Sequence, residues 1–95
     1  MTIQELTIIT ETNLKVKWNE GLGIFQVSLK DANGSGVETI EERGSGILTS
    51  TWGSGKTKNE AIGDYCDEIA GKILVIDALR KRRREYPVPN SLCWK

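Results

Sequence analysis

The stretch Gly53-Ser54-Gly55-Lys56-Thr57-Lys58-Asn59-Glu60-Ala61-Ile62 decides the fold. Thr57 and Glu60 stand three apart just ahead of an apolar pattern, which is the spacing of a capping box. The Thr57 hydroxyl can accept from the Glu60 N–H, and the Glu60 carboxylate can reach back to the Thr57 N–H. Two of the donors left over at a helix start are then satisfied. Downstream, Ile62, Tyr65, Cys66, Ile69 and Ala70 recur at helical spacing and line one face. Asp64, Asp67 and Glu68 fall mostly on the other face. Gly71 supplies a stop, with Lys72 beside the last carbonyls. The pattern predicts an amphipathic helix over 57–70, with Gly63 costing up to about 1 kcal/mol against Ala. Gly53 to Gly55 reads as a glycine-rich turn joining a strand to that helix.

Gly55-Lys56-Thr57 invites comparison with a phosphate-binding loop. That loop needs a further Gly five residues before its last one, and Ser50 holds that position. Gly53 is misplaced for the backbone N–H cradle, so a nucleotide site is not expected here.

Working back towards the N-terminus, Leu6, Ile8, Leu14, Val16 and Trp18 share one parity, while Glu5, Thr7, Glu11, Asn13, Lys15, Lys17 and Asn19 take the other. This alternation predicts half-buried strand, with a break or bulge at Thr12-Asn13 and the surest part from Leu14 to Trp18. Glu20 to Gly23 is a turn. Ile24 to Lys30 then alternates, with Phe25, Val27 and Leu29 inward, so the two runs form a hairpin. Asn33-Gly34 signals a second turn, Val37 to Glu42 a short strand, and Arg43 to Gly46 a third turn. Ile47 to Trp52 is rich in β-branched and aromatic residues and reads as the strand that feeds the helix.

Beyond Gly71, the β-branched density of Ile73-Leu74-Val75-Ile76 favours a buried strand. A helix running on to about Arg84 also fits, because Ile69, Ile73, Ile76 and Leu79 are helically spaced. The basic run Arg80-Lys81-Arg82-Arg83-Arg84 follows, and Pro87 and Pro89 are expected to stop regular structure. Ser91 to Lys95 is a short tail in which Trp94 can fold back on the body. The expected architecture is one α+β domain over 1–95. It has an antiparallel sheet of three to four strands packed by one amphipathic helix (57–70), then a further strand and a basic tail. Residues 1–13 and 90–95 are expected to be loosely ordered.

At Gly53 to Ala61 the chain resembles two families. In HicB-like antitoxins, a truncated RNase-H-like sheet and helix, a strand ends in Gly-x-Thr and Glu-Ala opens the helix. Thr57, Glu60 and Ala61 match that pattern, and Val88-Pro89 resembles its proline-ended later segment. In double-stranded-RNA-binding domains the last strand meets Gly-x-Gly and a Lys-rich helix start, matched by Gly53, Gly55, Lys56 and Lys58. The resemblance spans roughly residues 14–89 and implies an α+β architecture, with a role as an antitoxin-like module or an RNA binder. The appended DNA-binding element usual in the first family is not expected here. The N-terminal helix and Ala-rich second helix of the other family are not expected, and Asp64, Asp67 and Glu68 make this helix acidic.

Composition bounds the chemistry. The chain has 95 residues, 38% hydrophobic and 27% charged, as expected of one globular domain with a modest core. No apolar run is long enough to span a membrane, and the N-terminus lacks the basic-then-apolar order of a signal peptide. A cytoplasmic location with reduced thiols is therefore expected. There is no His, which removes the commonest general base and metal ligand. Cys66 and Cys93 make neither a zinc set nor a Cys–His pair, and Cys66 reads as a small buried hydrophobe. No catalytic residue, metal or cofactor is expected.

The balanced total charge conceals an asymmetry. Residues 1–79 carry 7 basic and 12 acidic side chains, net −5; residues 80–95 carry 6 and 1, net +5. Arg80, Lys81, Arg82, Arg83 and Arg84, joined by Lys56 and Lys58 at the helix start, are the candidate residues for binding nucleic acid or an anionic partner. Trp18 and Trp52 are candidate stacking platforms, although a Trp in a small domain is more often core. The leading expectation is a non-enzymatic module that binds a protein partner, as an antitoxin-like or phage-type inhibitor of a nucleic-acid-handling protein would. Direct RNA or DNA binding through the Arg80–Arg84 cluster is the alternative, and an edge strand leaves a homodimer open.

Overall fold

The structure is a computed structural model and describes residues 1–31, 37–40, 47–78, 81 and 83–94, with 38–40 described as backbone. The expected turns at Asn33-Gly34 and Arg43–Gly46 lie outside the described residues. The class is α+β, as the sequence predicts: among the described residues there are two helices, a three-stranded antiparallel sheet and a second sheet of four short strands.

The first eight helical residues correct the sequence reading. Ile3–Thr10 is α1, not the leading half of a strand. Thr2 caps it: its hydroxyl accepts from the Glu5 N–H at 3.2 Å, and the Glu5 carboxylate accepts from the Thr2 N–H at 3.2 Å. Ile3, Leu6 and Thr10 are the buried face. Ile8, which had completed the alternating pattern, is 77% exposed. Glu11 ends the helix with φ 54°, and the chain turns directly into β1.

β1 (Thr12–Asn19) and β2 (Ile24–Asp31) form the expected hairpin, in register from Thr12 opposite Asp31 to Asn19 opposite Ile24. Its turn is closed by the Gly23 N–H donating to the Asn19 carbonyl at 2.8 Å, with Gly23 at φ +65°. β3 (Val37–Ile40) and β4 (Leu48–Ser50) belong to the second sheet.

The segment expected to be a turn is a strand. β5 (Gly53–Gly55) pairs antiparallel with β2, Phe25 opposite Gly55 and Val27 opposite Gly53. In that register Gly53 and Gly55 share the face of Phe25 and Val27, the face that α2 (Lys58–Ile69) covers. A Cβ on Gly53 would stand 2.6 Å from Tyr65 Cα and even closer to Tyr65 N and Ala61 O. One on Gly55 would stand 2.7 Å from Ala61 N. The glycines are there because two backbones touch, one of the recognised uses of Gly inside a strand.

α2 begins where expected. Thr57 caps it by accepting from the Glu60 N–H at 3.1 Å. The Glu60 carboxylate reaches one residue further back than a capping box requires, accepting from the Lys56 N–H at 3.2 Å. Ala61, Tyr65, Cys66 and Ile69 are buried. Gly71 at φ +76° stops the helix.

Residues 73–76 form β6, which settles the strand-or-helix alternative in favour of the strand. Arg84–Pro87 is β7, a strand where the prolines had suggested none. The second sheet runs β4-β3-β6-β7, all antiparallel. Pro87 is tolerated because it ends an edge strand, opposite Ile73.

One core joins the layers. Ile3 and Leu6 of α1, Val27 and Leu29 of β2, Tyr65 and Ile69 of α2, Leu74 and Ile76 of β6, and Val88 and Leu92 of the C-terminal segment are all buried in it. The two ends of the chain meet. The Ile3 N–H donates to the Cys93 carbonyl at 2.7 Å, and the Cys93 N–H to the Met1 carbonyl at 3.0 Å. Trp94 packs against the core and lies 3.6 Å from where a Cβ on Gly63 would be.

Two predictions follow from this packing. Gly53→Ala should destabilise the protein by about 2–4 kcal/mol in urea unfolding, since rigid backbone must move aside. Ser54→Ala, on the opposite face of the same strand, should cost less than about 0.5 kcal/mol. Burial pushes the Cys66 thiol up from its ordinary 9.0 to about 11, with the Cys93 thiol and Asp67 adding to the rise. The thiol is held neutral in the fold while the unfolded chain ionises. The Cys66 contribution to stability should therefore be constant below pH 9 and be lost progressively between pH 9 and about 11. Cys66→Ala should reduce that loss, as read from urea midpoints across the range.

Candidate functional site

Surface chemistry divides by face. On the hairpin, cross-strand pairing sorts the side chains. Leu14, Val16 and Trp18 share a face with Leu29, Val27 and Phe25; Lys15 and Lys17 share the opposite, outer face with Ser28 and Gln26. Asn13 opposite Lys30 and Asn19 opposite Ile24 complete that outer face. It presents three lysines and no carboxylate.

α2 covers β2 more fully than β1. Val27 and Leu29 are buried, but Val16 is exposed and Trp18 is 46% exposed, against the inward placement expected for both. Trp18 holds its position by a tilted contact with the Phe25 ring, centroids 4.8 Å apart. Leu22 at the hairpin tip is exposed too. The outer edge of β1 has no hydrogen-bonded strand beside it among the described residues.

A groove of about 430 Å³ lies where the chain leaves β4 and crosses into β5. Lys15, Lys17, Gln26 and Ser28 line one side, and Ser50 and Trp52 the other. Trp52 is 55% exposed, which places it at the surface and not in the core. The outer side of α2 has the opposite character. Glu60, Asp67 and Glu68 are exposed, Asp64 is half-buried, and none of the four is ion-paired among the described residues. Asp64 instead accepts from the Ser54 N–H at 2.8 Å, fastening the helix to β5.

The basic run expected to bind anions is only partly available. Arg84 is turned inward. Its guanidinium meets Asp31 at 2.8 Å and Glu11 at 3.2 Å, joining β7 to the end of β2 and the start of β1. Arg83 pairs with Glu85 at 3.2 Å and donates to the Ala78 carbonyl at 3.3 Å. Lys81 is exposed. Arg80 and Arg82 lie outside the described residues. Lys58 sits over the Phe25 ring at 5.9 Å, and Lys56 is exposed beside it in sequence.

Among the described residues, Lys58 and Arg84 are not brought together. Lys58 is at the Phe25 end of β2 and Arg84 at the Asp31 end, six strand residues or about 20 Å apart. The pairing of Arg84 has no signal in the sequence, because Asp31 and Glu11 lie 53 and 73 residues away. Trp52 and the hairpin lysines were visible there as exposed-parity or candidate stacking residues, but their shared groove depends on the sheet crossing.

Among the described residues, no group of three or more His, Cys, Asp or Glu is placed to hold a metal ion. The two cysteines are not joined in a disulfide; Cys66 is buried and Cys93 exposed. No helix among the described residues is long and apolar enough to cross a membrane. No family model, curated protein or solved structure matches the chain.

The Arg84 contact has a measurable consequence. The Asp31 side chain is 2% exposed and that of Arg84 33%, so the pair is screened on one side only. Arg84→Ala should lower stability by about 1–3 kcal/mol by leaving Asp31 buried without its cation. Glu11→Gln, at an exposed partner, should cost less than about 0.5 kcal/mol, both read by chemical unfolding.

Proposed function

We propose that this chain is a small, non-enzymatic module that docks on a protein partner through the open edge of β1. The observation that carries the reading is the pairing of that edge with half-exposed Val16 and Trp18 and exposed Leu22. An unpaired strand offers main-chain donors and acceptors to an added strand, and the apolar side chains beside it supply anchoring area. An exposed Trp beside apolar neighbours is the composition found at the centre of protein interfaces.

A second copy of the chain suits this edge poorly. The antiparallel β1–β1 registers that pair most of the strand and keep the apolar faces together, centred on residues 15 to 17, set lysine opposite lysine, and like charges directly opposite destabilise a sheet. A different protein is the better occupant. The acidic outer face of α2 supports the narrower reading, an inhibitor of a nucleic-acid-handling protein of the antitoxin-like or phage type. Carboxylates on a rigid helix that have no ion-pair partner among the described residues suit a surface that normally takes phosphates. The cytoplasm is the matching compartment for such a partner and for two cysteines that form no disulfide.

The test is site-specific photo-crosslinking from position 22, exposed at the tip of the same hairpin, in the source cell, followed by identification of the adduct. A single dominant protein adduct, lost when Val16 and Trp18 are both changed to Glu, is the expected outcome. The doubly changed protein should keep its fold, at a cost of about 1–2 kcal/mol from the lost ring contact and partial burial. No adduct, or an adduct that survives the double change, would remove the β1 edge as the docking site.

A further inference from the structure

We infer that the groove between the β1–β2 hairpin and the Ser50–Trp52 crossing binds single-stranded nucleic acid, with Lys15 and Lys17 on the phosphates and Trp52 stacking on a base. Three observations converge on it. The groove has about 430 Å³, within the ~300–1,000 Å³ usual for ligand clefts. Its lining includes two lysines and no carboxylate, in a stretch of chain (residues 1–79) whose net charge is −5. Trp52 lines it while remaining 55% exposed, so a large aromatic ring is presented to solvent beside two cations.

Each feature has a separate task. Lys15 and Lys17 are two residues apart on one strand, so their side chains leave the same face about 7 Å apart along β1. That lets them meet successive phosphates of one strand. Lys30, at the far end of the same face, extends the positive track. Gln26, Ser28 and Ser50 add hydrogen-bonding groups to the lining, suited to sugar and base edges. A base can stack on Trp52 only if its face is free, which favours an unpaired strand over a duplex. An acidic peptide would use the lysines but leave the ring unused.

This surface differs from the one the sequence pointed to. The Arg80–Arg84 run has Arg84 committed to Asp31 and Glu11, and Arg83 to Glu85. It also differs from the β1 edge proposed for a protein partner, since it uses outward side chains and not the strand's open backbone. The two ideas can fail independently.

The experiment is fluorescence anisotropy of labelled oligothymidylate and oligouridylate about ten nucleotides long, a typical single-strand site size. Wild-type protein should bind with affinity that falls steeply with salt. Lys15→Ala with Lys17→Ala should make the slope of log K against log salt shallower by about 1.4, the contribution of two phosphate contacts. Trp52→Ala should weaken binding about 5- to 150-fold, the range of one base–aromatic stack, while Trp52→Phe should retain most of the affinity. Lys81→Ala with Arg83→Ala should change nothing. The proposal is overturned if wild-type protein fails to bind at about 100 μM in low salt. It is overturned equally if polyglutamate competes as well as the oligonucleotide, if duplex binds more tightly, or if the loss follows Lys81 and Arg83. Unchanged melting of each variant excludes misfolding as the cause of any loss.

Discussion

The structure depends on how closely α2 approaches β5. The helix backbone at Ala61 and Tyr65 lies against Gly53 and Gly55, nearer than any side chain would allow. That approach lets Tyr65 and Ile69 reach the core shared with β2 and β6. It also sets the Ser54 N–H against the Asp64 carboxylate, so the strand is held to the sheet on one side and to the helix on the other. A short strand of Gly-Ser-Gly has little β propensity of its own. It persists because its neighbours supply both the pairing and the cover, and the Thr57 cap starts the helix in the right place.

Much of this was legible in the chain, and what was not has identifiable causes. The Thr57–Glu60 spacing and the apolar stripe from Ala61 to Ile69 marked α2 because capping and periodicity are local. The hairpin was equally local, set by alternation on both sides of Glu20–Gly23. The same capping signal stood at Thr2 and Glu5, but the parity of Leu6 and Ile8 with Leu14 and Val16 obscured it. Eight residues are too few for period alone to separate a helix from a strand. β5 was read as a turn because glycine usually marks one, whereas here it marks contact between two backbones. β7 was missed because a proline excludes a central strand, not an edge one.

The candidate sites followed the same division. A run of five basic residues is conspicuous in a sequence, yet its chemistry depends on long-range partners. Arg84 lies opposite Ile76 in the sheet, next to a buried carboxylate from β2, and becomes a tie between the two sheets. The hairpin lysines attracted less notice because alternating lysines on an edge strand are an ordinary guard against aggregation. Their shared groove with Trp52 appears only once the crossing from β4 to β5 is in place. The result is a neutral molecule with segregated faces: carboxylates along the outside of α2, lysines along the outside of the hairpin, and apolar residues at the edge of β1.

The most direct test of the central packing is amide hydrogen exchange resolved by residue. The account predicts that the amides of Gly53 to Gly55 exchange as slowly as those of Phe25 to Val27, with opening free energies close to that of global unfolding. Rapid exchange at Gly53 to Gly55, while Phe25 to Val27 and α2 remain protected, would show a loose glycine turn in place of a strand clamped beneath the helix, and would contradict it.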